Sequence, residues 1–528
     1  MHLNTNQYLN LGITSDLLLS PDSPPERIAI AWLHIIREHP EFLAKYSFLL
    51  EPEPNLRSLV RKTIWELSYA AGYLKRCISG LSSQGTLWYT TEPRAKSADI
   101  LFLSHLLNPS HSGQDQDFYF GSVPIDLINS GVSTAIALIN HTNNPPRQLA
   151  NQYSRIAPPR IILSNSLSIA EEISFQRRLA YEKQTLGKLV ARLPKGLQRS
   201  FAAHAAIETM SSATTTNLRI HQQISSLVRI LQPKAIVVTF EGHAYERIAF
   251  HAARNAMPNI ICIGYQHAAI FRYQHAIRRM LAPKYNPDHI LTAGVVAQRQ
   301  LLNSETLAGI PISVLGSPRS TKATAQLKLE PSPPAYQINT DRPVCVVTPE
   351  GIESECKMMF TFALECALAL PHIYFIWRLH PLISFKTLLK RNRRLHIRPP
   401  NVELSDKTLE DDIKRCQWAL YRGTTAVVQA VMGGLTPIYL QIRDEMTIDP
   451  LYEIEKGKFI VQTPAEFVAV VKKLSSTSEN TKHQERAELV DYCGKFYVPM
   501  NFRVLEKIIR DAPTREPVNP ATHQLDKR

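Results

Sequence analysis

Short, unbroken apolar runs recur along this chain, separated by longer stretches in which apolar residues return every three or four positions. Before residue 320 the runs fall at 99–103, 135–139, 159–163, 235–240, 260–264, 289–292 and 312–316. After residue 343 they fall at 344–348, 373–377, 418–421 and 437–440. Runs of that length without polar alternation predict strands buried on both faces, and the helical periodicity between them predicts crossover helices. Strands covered on both faces belong to parallel α/β sheets. The stretch 169–231 is helical in pattern and too long for a plain crossover, so it predicts a helical insertion. The first 90 residues, with patterns at 29–36 and 59–78, also predict helices.

Residues 321–343 contain Glu330-Pro331-Ser332-Pro333-Pro334 and no periodicity, which marks a linker. The expected fold is therefore α/β, with two Rossmann-like domains, an N-terminal helical region and a helical insertion. The boundaries are 1–90 for the helical region, 91–320 for the first domain with its insertion at 165–231, and 321–343 for the linker. A nucleotide-binding domain at 344–485, a C-terminal helix at 486–512 and a disordered tail at 513–528 follow. Helical patterns at 353–370, 426–432, 464–474 and 485–509 fill the second half. A length of 528 residues exceeds one ordinary core and agrees with this division.

Hydrophobic residues at 44% and charged residues at 20% describe a folded globular chain. The net charge of +14 points to an acidic partner: a nucleotide, an anionic glycan, a phospholipid surface or a nucleic acid. The dense run Lys390-Arg391-Asn392-Arg393-Arg394 reads as a solvated face, the alternative being contact with anionic lipid headgroups. No basic–aromatic interleaving or zinc-finger spacing is present, so nucleic acid is not an expected partner. Seven scattered cysteines without CxxC spacing read as buried thiols of a reducing compartment. The N-terminus lacks the features of a signal peptide, and no apolar stretch nears the roughly 18 residues needed to span a bilayer. The expected location is cytoplasmic. The N-terminal helices either touch the inner membrane peripherally or merely pack.

Two peptides concentrate the chemistry. Arg378-Leu379-His380-Pro381 closes the 373–377 run, and Tyr421-Arg422-Gly423-Thr424-Thr425-Ala426 joins the 418–421 run to a helix. Proline holds its predecessor extended, so His380 sits at a strand tip, and Arg378 shares its side of the strand. Thr424 and Thr425 stand where a helix start offers free N–H groups to an anion. In open α/β sheets ligands bind at that carboxyl edge, which predicts a phosphate or nucleotide site. The plainer roles are a backbone-bonded loop histidine and two N-cap threonines. Glu241 ends the 235–240 run, His267 follows the 260–264 run, and Glu350 lies in Pro349-Glu350-Gly351 after the 344–348 run. No metal-binding motif accompanies the acidic pairs Asp411-Asp412 and Asp444-Glu445.

The order of Glu-Gly, His-Pro and a hydroxyl pair resembles the motif set of bacterial sialyltransferases, polysialyltransferases and Kdo transferases. The segments 240–247, 264–268 and 286–294 also resemble surface-carbohydrate biosynthesis proteins of Gram-negative bacteria. The resemblance covers residues 230–445 and implies a metal-independent, cofactor-free GT-B glycosyltransferase acting on CMP-activated sugars. It implies that His380, Thr424 and Thr425 bind the donor phosphate; Arg378, from its place on the same side of the strand, is a candidate to pair with that phosphate. An inverting transferase also needs a base for the acceptor hydroxyl. Glu241 is that candidate, its plainer role being a carboxylate that caps the following helix. His267 either assists the base, binds the acceptor or is a satisfied loop histidine. His275 and Arg278 are weaker candidates for contact with an anionic acceptor, and Glu246 is expected within the helix, paired with a basic neighbour. Glu350, where proline replaces the family's first acidic residue, is a donor contact and the runner-up base. The expected partners are a nucleotide-sugar donor and a glycan or lipid-linked acceptor of bacterial surface polysaccharide. The alternatives are a UDP-sugar or CDP-glycerol-type transferase of the same fold, or a non-catalytic nucleotide-sugar-binding assembly protein.

Overall fold

The computed structural model describes residues 4–35, 56–83, 86–90, 97–153, 157–320, 342–380, 383–476 and 479–511. Most of the expected linker, the expected tail and Pro381 lie outside these. Two sheets organise the described residues. The first contains β1 (Trp88–Tyr89), β2 (Ile100–Leu106), β3 (Thr134–Asn140), β4 (Arg160–Leu163), β5 (Ala235–Thr239), β6 (Ile261–Gln266), β7 (His289–Thr292) and β8 (Ile312–Val314). Their order is β1-β4-β3-β2-β5-β6-β7-β8, parallel throughout except that β1 runs antiparallel to β4. The second contains β9 (Val344–Thr348), β10 (Tyr374–Trp377), β11 (Val402–Leu404), β12 (Trp418–Tyr421), β13 (Thr436–Leu440) and β14 (Phe459–Val461). It is wholly parallel, in the order β11-β10-β9-β12-β13-β14. The α/β architecture of two Rossmann-like domains is thus present.

Each sheet reverses direction once. The first grows outward from β2 through β3 to β4, then restarts on the other side with β5. The second grows from β9 to β11 and restarts with β12. At such a switch point the two connections leave in opposite directions and open a crevice above the strand ends. The first crevice lies beyond β2 and β5, the second beyond β9 and β12.

Both faces of each sheet are covered, which explains the unbroken apolar runs. In β2, Leu101 and Leu103 face one core while Ile100 and Phe102 face the other. The N-terminal helices pack with the insertion, which forms the helices Ile169–Arg192, Leu197–Glu208 and Ser212–Leu231. Two buried ion pairs pin this region, Arg27–Glu182 at 2.5 Å and Arg219–Glu172 at 2.6 Å. The helix Leu56–Ser83 lies outside it, with Ile64, Leu67, Leu74 and Ile78 exposed.

The pattern at 485–509 forms two helices rather than one, Glu479–Gly494 and Arg503–Arg510. Between them Gly494 and Pro499 remove the conditions for continuous helix. The break carries the chain back to the first domain, where Leu505 and Ile509 join the core under β2 and β3. Leu489, Tyr492 and Phe496 fill the seam between domains, against Val296 of the first and Val427 of the second. The strands that the apolar pattern did not indicate, β1, β11 and β14, are two- or three-residue edge strands. The described cysteines are all free, and all but Cys77 are buried.

Candidate functional site

The turn after β5 is shaped by Glu246. Its carboxylate accepts from the N–H groups of Glu241 (3.0 Å), Gly242 (2.7 Å) and His243 (2.7 Å), and from Tyr245 Oη (3.0 Å). This is a capping box with histidine at the N-cap, opening the helix Ala244–Ala256. Gly242 has φ 89°, and a Cβ there would fall 2.2 Å from the Ala276 carbonyl carbon. Only glycine fits that position. The turn therefore presents Glu241 over the first crevice in one geometry.

Glu241 is ringed by imidazoles. His243 Nε2 lies 3.2 Å from one carboxylate oxygen and His267 Nδ1 3.4 Å from the other. The His267 contact is close but not aligned as a hydrogen bond, and its Nδ1 has no hydrogen-bond partner among the described residues. The His267 ring packs against Tyr119 with centroids 4.5 Å apart. Burial pushes the His267 pKa down to about 4, against the pull of Glu241, so the ring is neutral near pH 7. On β2, His105 contacts His141 at 2.9 Å, Tyr245 Oη at 2.9 Å and Thr239 Oγ1 at 3.1 Å. Burial also holds the His105 pKa far below its usual value. Burial, helped by the charge of Glu241, raises the Tyr119 phenol to about 12.

The second crevice gathers another set. Glu350 follows β9, and a Cβ on Gly423 would lie 1.8 Å from Glu350 Oε1, so the carboxylate rests directly on the backbone after β12. His380, beyond β10, lies over Gly351, whose Cβ would be 3.0 Å from its Nδ1. Burial lowers the His380 pKa, Arg319 lowers it further and Glu350 opposes both. Thr424 Oγ1 accepts from the Ala426 N–H at 3.2 Å, whereas the Thr425 side chain makes no cap. The helix that follows, Ala426–Met432, has seven residues. Glu350, His380 and Thr424 are thus brought together, with Thr425 adjacent in sequence. Arg378 is directed elsewhere: it donates to Asp412 Oδ2 at 2.9 Å and to the Lys407 carbonyl at 2.6 Å. Arg422 is buried between Glu355 and Glu445.

The lesser candidates also have partners. His275 pairs with Asp16 at 2.8 Å, and Arg278 donates to the Gln274 carbonyl at 2.6 Å. In the basic run, Arg391 and Arg394 pair with Glu353 and Glu365. Among the described residues no group of three or more His, Cys, Asp or Glu has metal-binding geometry, and no helix is long and apolar enough to cross a membrane.

One cation reaches both crevices. Arg319, beyond β8, lowers the pKa values of His267 in the first domain and His380 in the second. Arg319, Tyr119, His105, His141 and His243 were not apparent in the sequence. Of these, His243 alone carried a local signal, the three-residue spacing to Glu246.

No protein-family model matches the sequence, and no curated protein matches it significantly. Solved structures resemble the fold weakly. UDP-GlcNAc 2-epimerase from Neisseria meningitidis bound to UDP-GlcNAc is 13% identical, with a TM-score of 0.45 over 78% of this chain and 99% of its own. The glycotransferase of kitacinnamycin is 13% identical, with a TM-score of 0.44 over 80% of this chain and 100% of its own. MurG of Acinetobacter baumannii is 10% identical, with a TM-score of 0.42 over 78% and 99%. Likeness at this level carries neither ligand nor activity to the present chain.

Proposed function

We propose that this chain is an inverting, metal-independent glycosyltransferase that moves a sugar from a nucleotide-activated donor to a hydroxyl of a glycan or lipid-linked acceptor. The donor class is a CMP-linked acidic sugar, and the setting is bacterial surface polysaccharide assembly. The observation that carries the reading is the pairing of the two switch points. One holds a carboxylate among imidazoles, the other a histidine, a threonine and a glycine-backed carboxylate, and Arg319 acts on both.

In this reading the second crevice holds the nucleotide. His380 and Thr424 contact the donor phosphate, Thr425 flanks them, and Glu350 contacts a ribose or sugar hydroxyl. Glu241 takes the proton of the acceptor hydroxyl. The freed oxygen forms a bond to the anomeric carbon from the face opposite the nucleotide. The carbon–oxygen bond to phosphate breaks, its electron pair leaves with the nucleoside phosphate, and the proton remains on Glu241. His243 and His267 position that carboxylate. Arg378, matched to Asp412, supports the strand tip rather than the phosphate.

The test is release of nucleotide from CMP- and UDP-sugars with surface-glycan acceptors, with and without EDTA. The expected result is CMP release, insensitive to EDTA and reduced at least ~10²-fold in Glu241→Gln. UDP release would replace the donor class. Full activity of Glu241→Gln would remove Glu241 from the chemistry. No release from any nucleotide sugar would overturn the transferase reading.

A further inference from the structure

The loop that carries Arg319 is fastened on several sides. Tyr265 Oη donates to the Gly316 carbonyl at 2.8 Å, and the Ser317 N–H donates to the Val498 carbonyl at 2.9 Å. The Arg319 N–H closes on Ser317 Oγ at 3.1 Å. The Gly316 backbone lies against Pro499, and Pro318 against Gly121. First-domain strands and the returning C-terminal segment together build this platform.

The side chain at its end is exposed. Its Nη1 lies 3.5 Å from Tyr497 Oη, and its guanidinium carbon 5.9 Å from the Tyr497 ring centroid. No carboxylate pairs with it among the described residues, in contrast to other arginines of the molecule. Arg378 has Asp412, Arg279 has Asp16, Arg219 has Glu172, and Arg422 has both Glu355 and Glu445. The phenol of Tyr497 beside it can donate a hydrogen bond to an anion, and the charge of Arg319 also lowers the pKa values of the Tyr119 phenol and the His380 imidazole. A guanidinium held on a fixed backbone, without a counter-charge and beside a neutral donor, is what recognition of a phosphate requires.

We propose that Arg319 is the cationic centre of an anion-binding site at the junction of the two domains, and that its ligand is the phosphate of a nucleoside mono- or diphosphate. The assignment of that phosphate to a sugar donor rests on the transferase reading; the anion site itself does not. In transfer, Arg319 neutralises the charge that gathers on the departing phosphate oxygen.

Calorimetric titration of the full chain with CMP, UMP, UDP and inorganic pyrophosphate tests this, in the parent protein and in Arg319→Gln, Arg319→Lys and His380→Ala. The expected result is binding of at least one phosphate probe. Its affinity falls about 10- to 100-fold in Arg319→Gln and recovers in part in Arg319→Lys. Cytidine and uridine serve as phosphate-free controls and should bind the parent and Arg319→Gln alike. Unchanged phosphate affinity in Arg319→Gln overturns the inference, and a loss confined to His380→Ala does so while leaving the donor site in place. Equal losses for nucleoside and nucleotide would mean that Arg319 supports the fold of the crevice instead. Absence of phosphate binding to the parent overturns the anion site. An Arg319-dependent site in a protein that transfers no sugar preserves this inference and removes the transferase.

Discussion

Replacing Glu246 by alanine should destabilise the first domain far more than an ordinary surface change. The Glu246 side chain is fully buried, and its carboxylate accepts from three consecutive backbone N–H groups and the Tyr245 phenol. Alanine leaves those N–H groups without an acceptor, at about 1–3 kcal/mol for each buried donor that water cannot reach. It also deletes half of the capping box, worth about 1 kcal/mol. The turn can relax and let in water, so the sum falls short of additivity, and roughly 3–5 kcal/mol is expected. For a domain of this size that corresponds to a fall of roughly 6–20 °C in melting temperature. Circular dichroism melts of the full chain measure it, with Glu246→Gln, which keeps one acceptor oxygen, falling between alanine and the parent. A Glu246→Ala protein that melts within about 2 °C of the parent would show that the carboxylate does not hold the turn.

Glu241, five residues earlier, should behave in the opposite way: Glu241→Gln keeps the melting temperature within about 1 °C while transfer falls at least ~10²-fold, as thermal melts and the nucleotide-release assay would report. Gly423→Ala would place a methyl group 1.8 Å from Glu350 Oε1, so the carboxylate must leave its seat. Nucleotide affinity should drop about tenfold or more by calorimetry, and unchanged affinity would dissociate Glu350 from the donor site. His221 and His251, 3.0 Å apart, have pKa values that burial lowers to about 4 and about 3. The unfolded chain takes up those protons first as the pH falls below about 6.5, so their contribution to stability is complete above that pH and lost progressively towards pH 4. Melts across this range should show a steep acid limb that His251→Gln makes shallower.

Much of the scaffold was legible because buried parallel strands leave an unbroken apolar trace, as at 235–240 and 344–348. Edge strands such as Val402–Leu404 leave none, since two or three half-buried residues resemble any loop. The proximity of Glu241 and His267 followed from adjacent parallel strands, β5 and β6, ending at one level. The roles of neighbouring charged residues were harder to separate. Arg378 looked available for phosphate because its partner Asp412 lies 34 positions away. Glu246 looked like a helical residue paired with a basic neighbour because its true partners are backbone N–H donors, invisible in a pattern of side chains. Arg319 carried no signal at all, because its setting comes from Tyr497, which returns to the first domain only after the whole second domain has been built.

The charges of the cleft are separated in a way that transfer needs. A base loses strength in a close ion pair with a guanidinium, because the pairing favours its ionised form. Glu241 is instead in contact with the imidazoles of His243 and His267; burial holds His267 neutral, and likewise His105 on the neighbouring strand β2. Protonation of His267 against Glu241, or of His105 nearby, would make Glu241 a poorer proton acceptor and would compete with Arg319 for the departing phosphate. The neutrality of these rings is therefore a condition of the mechanism as well as a consequence of packing. It can be checked without any substrate by following imidazole resonances in an NMR titration, assigned through His267→Asn and His105→Asn. Both signals should stay at their neutral positions from pH 8 to about 5.5, with His267 moving only as the pH approaches 4. A midpoint near 6.5 for either ring would mean that the crevice is open to water, and would transfer the neutralising role from Arg319 to the histidines beside Glu241.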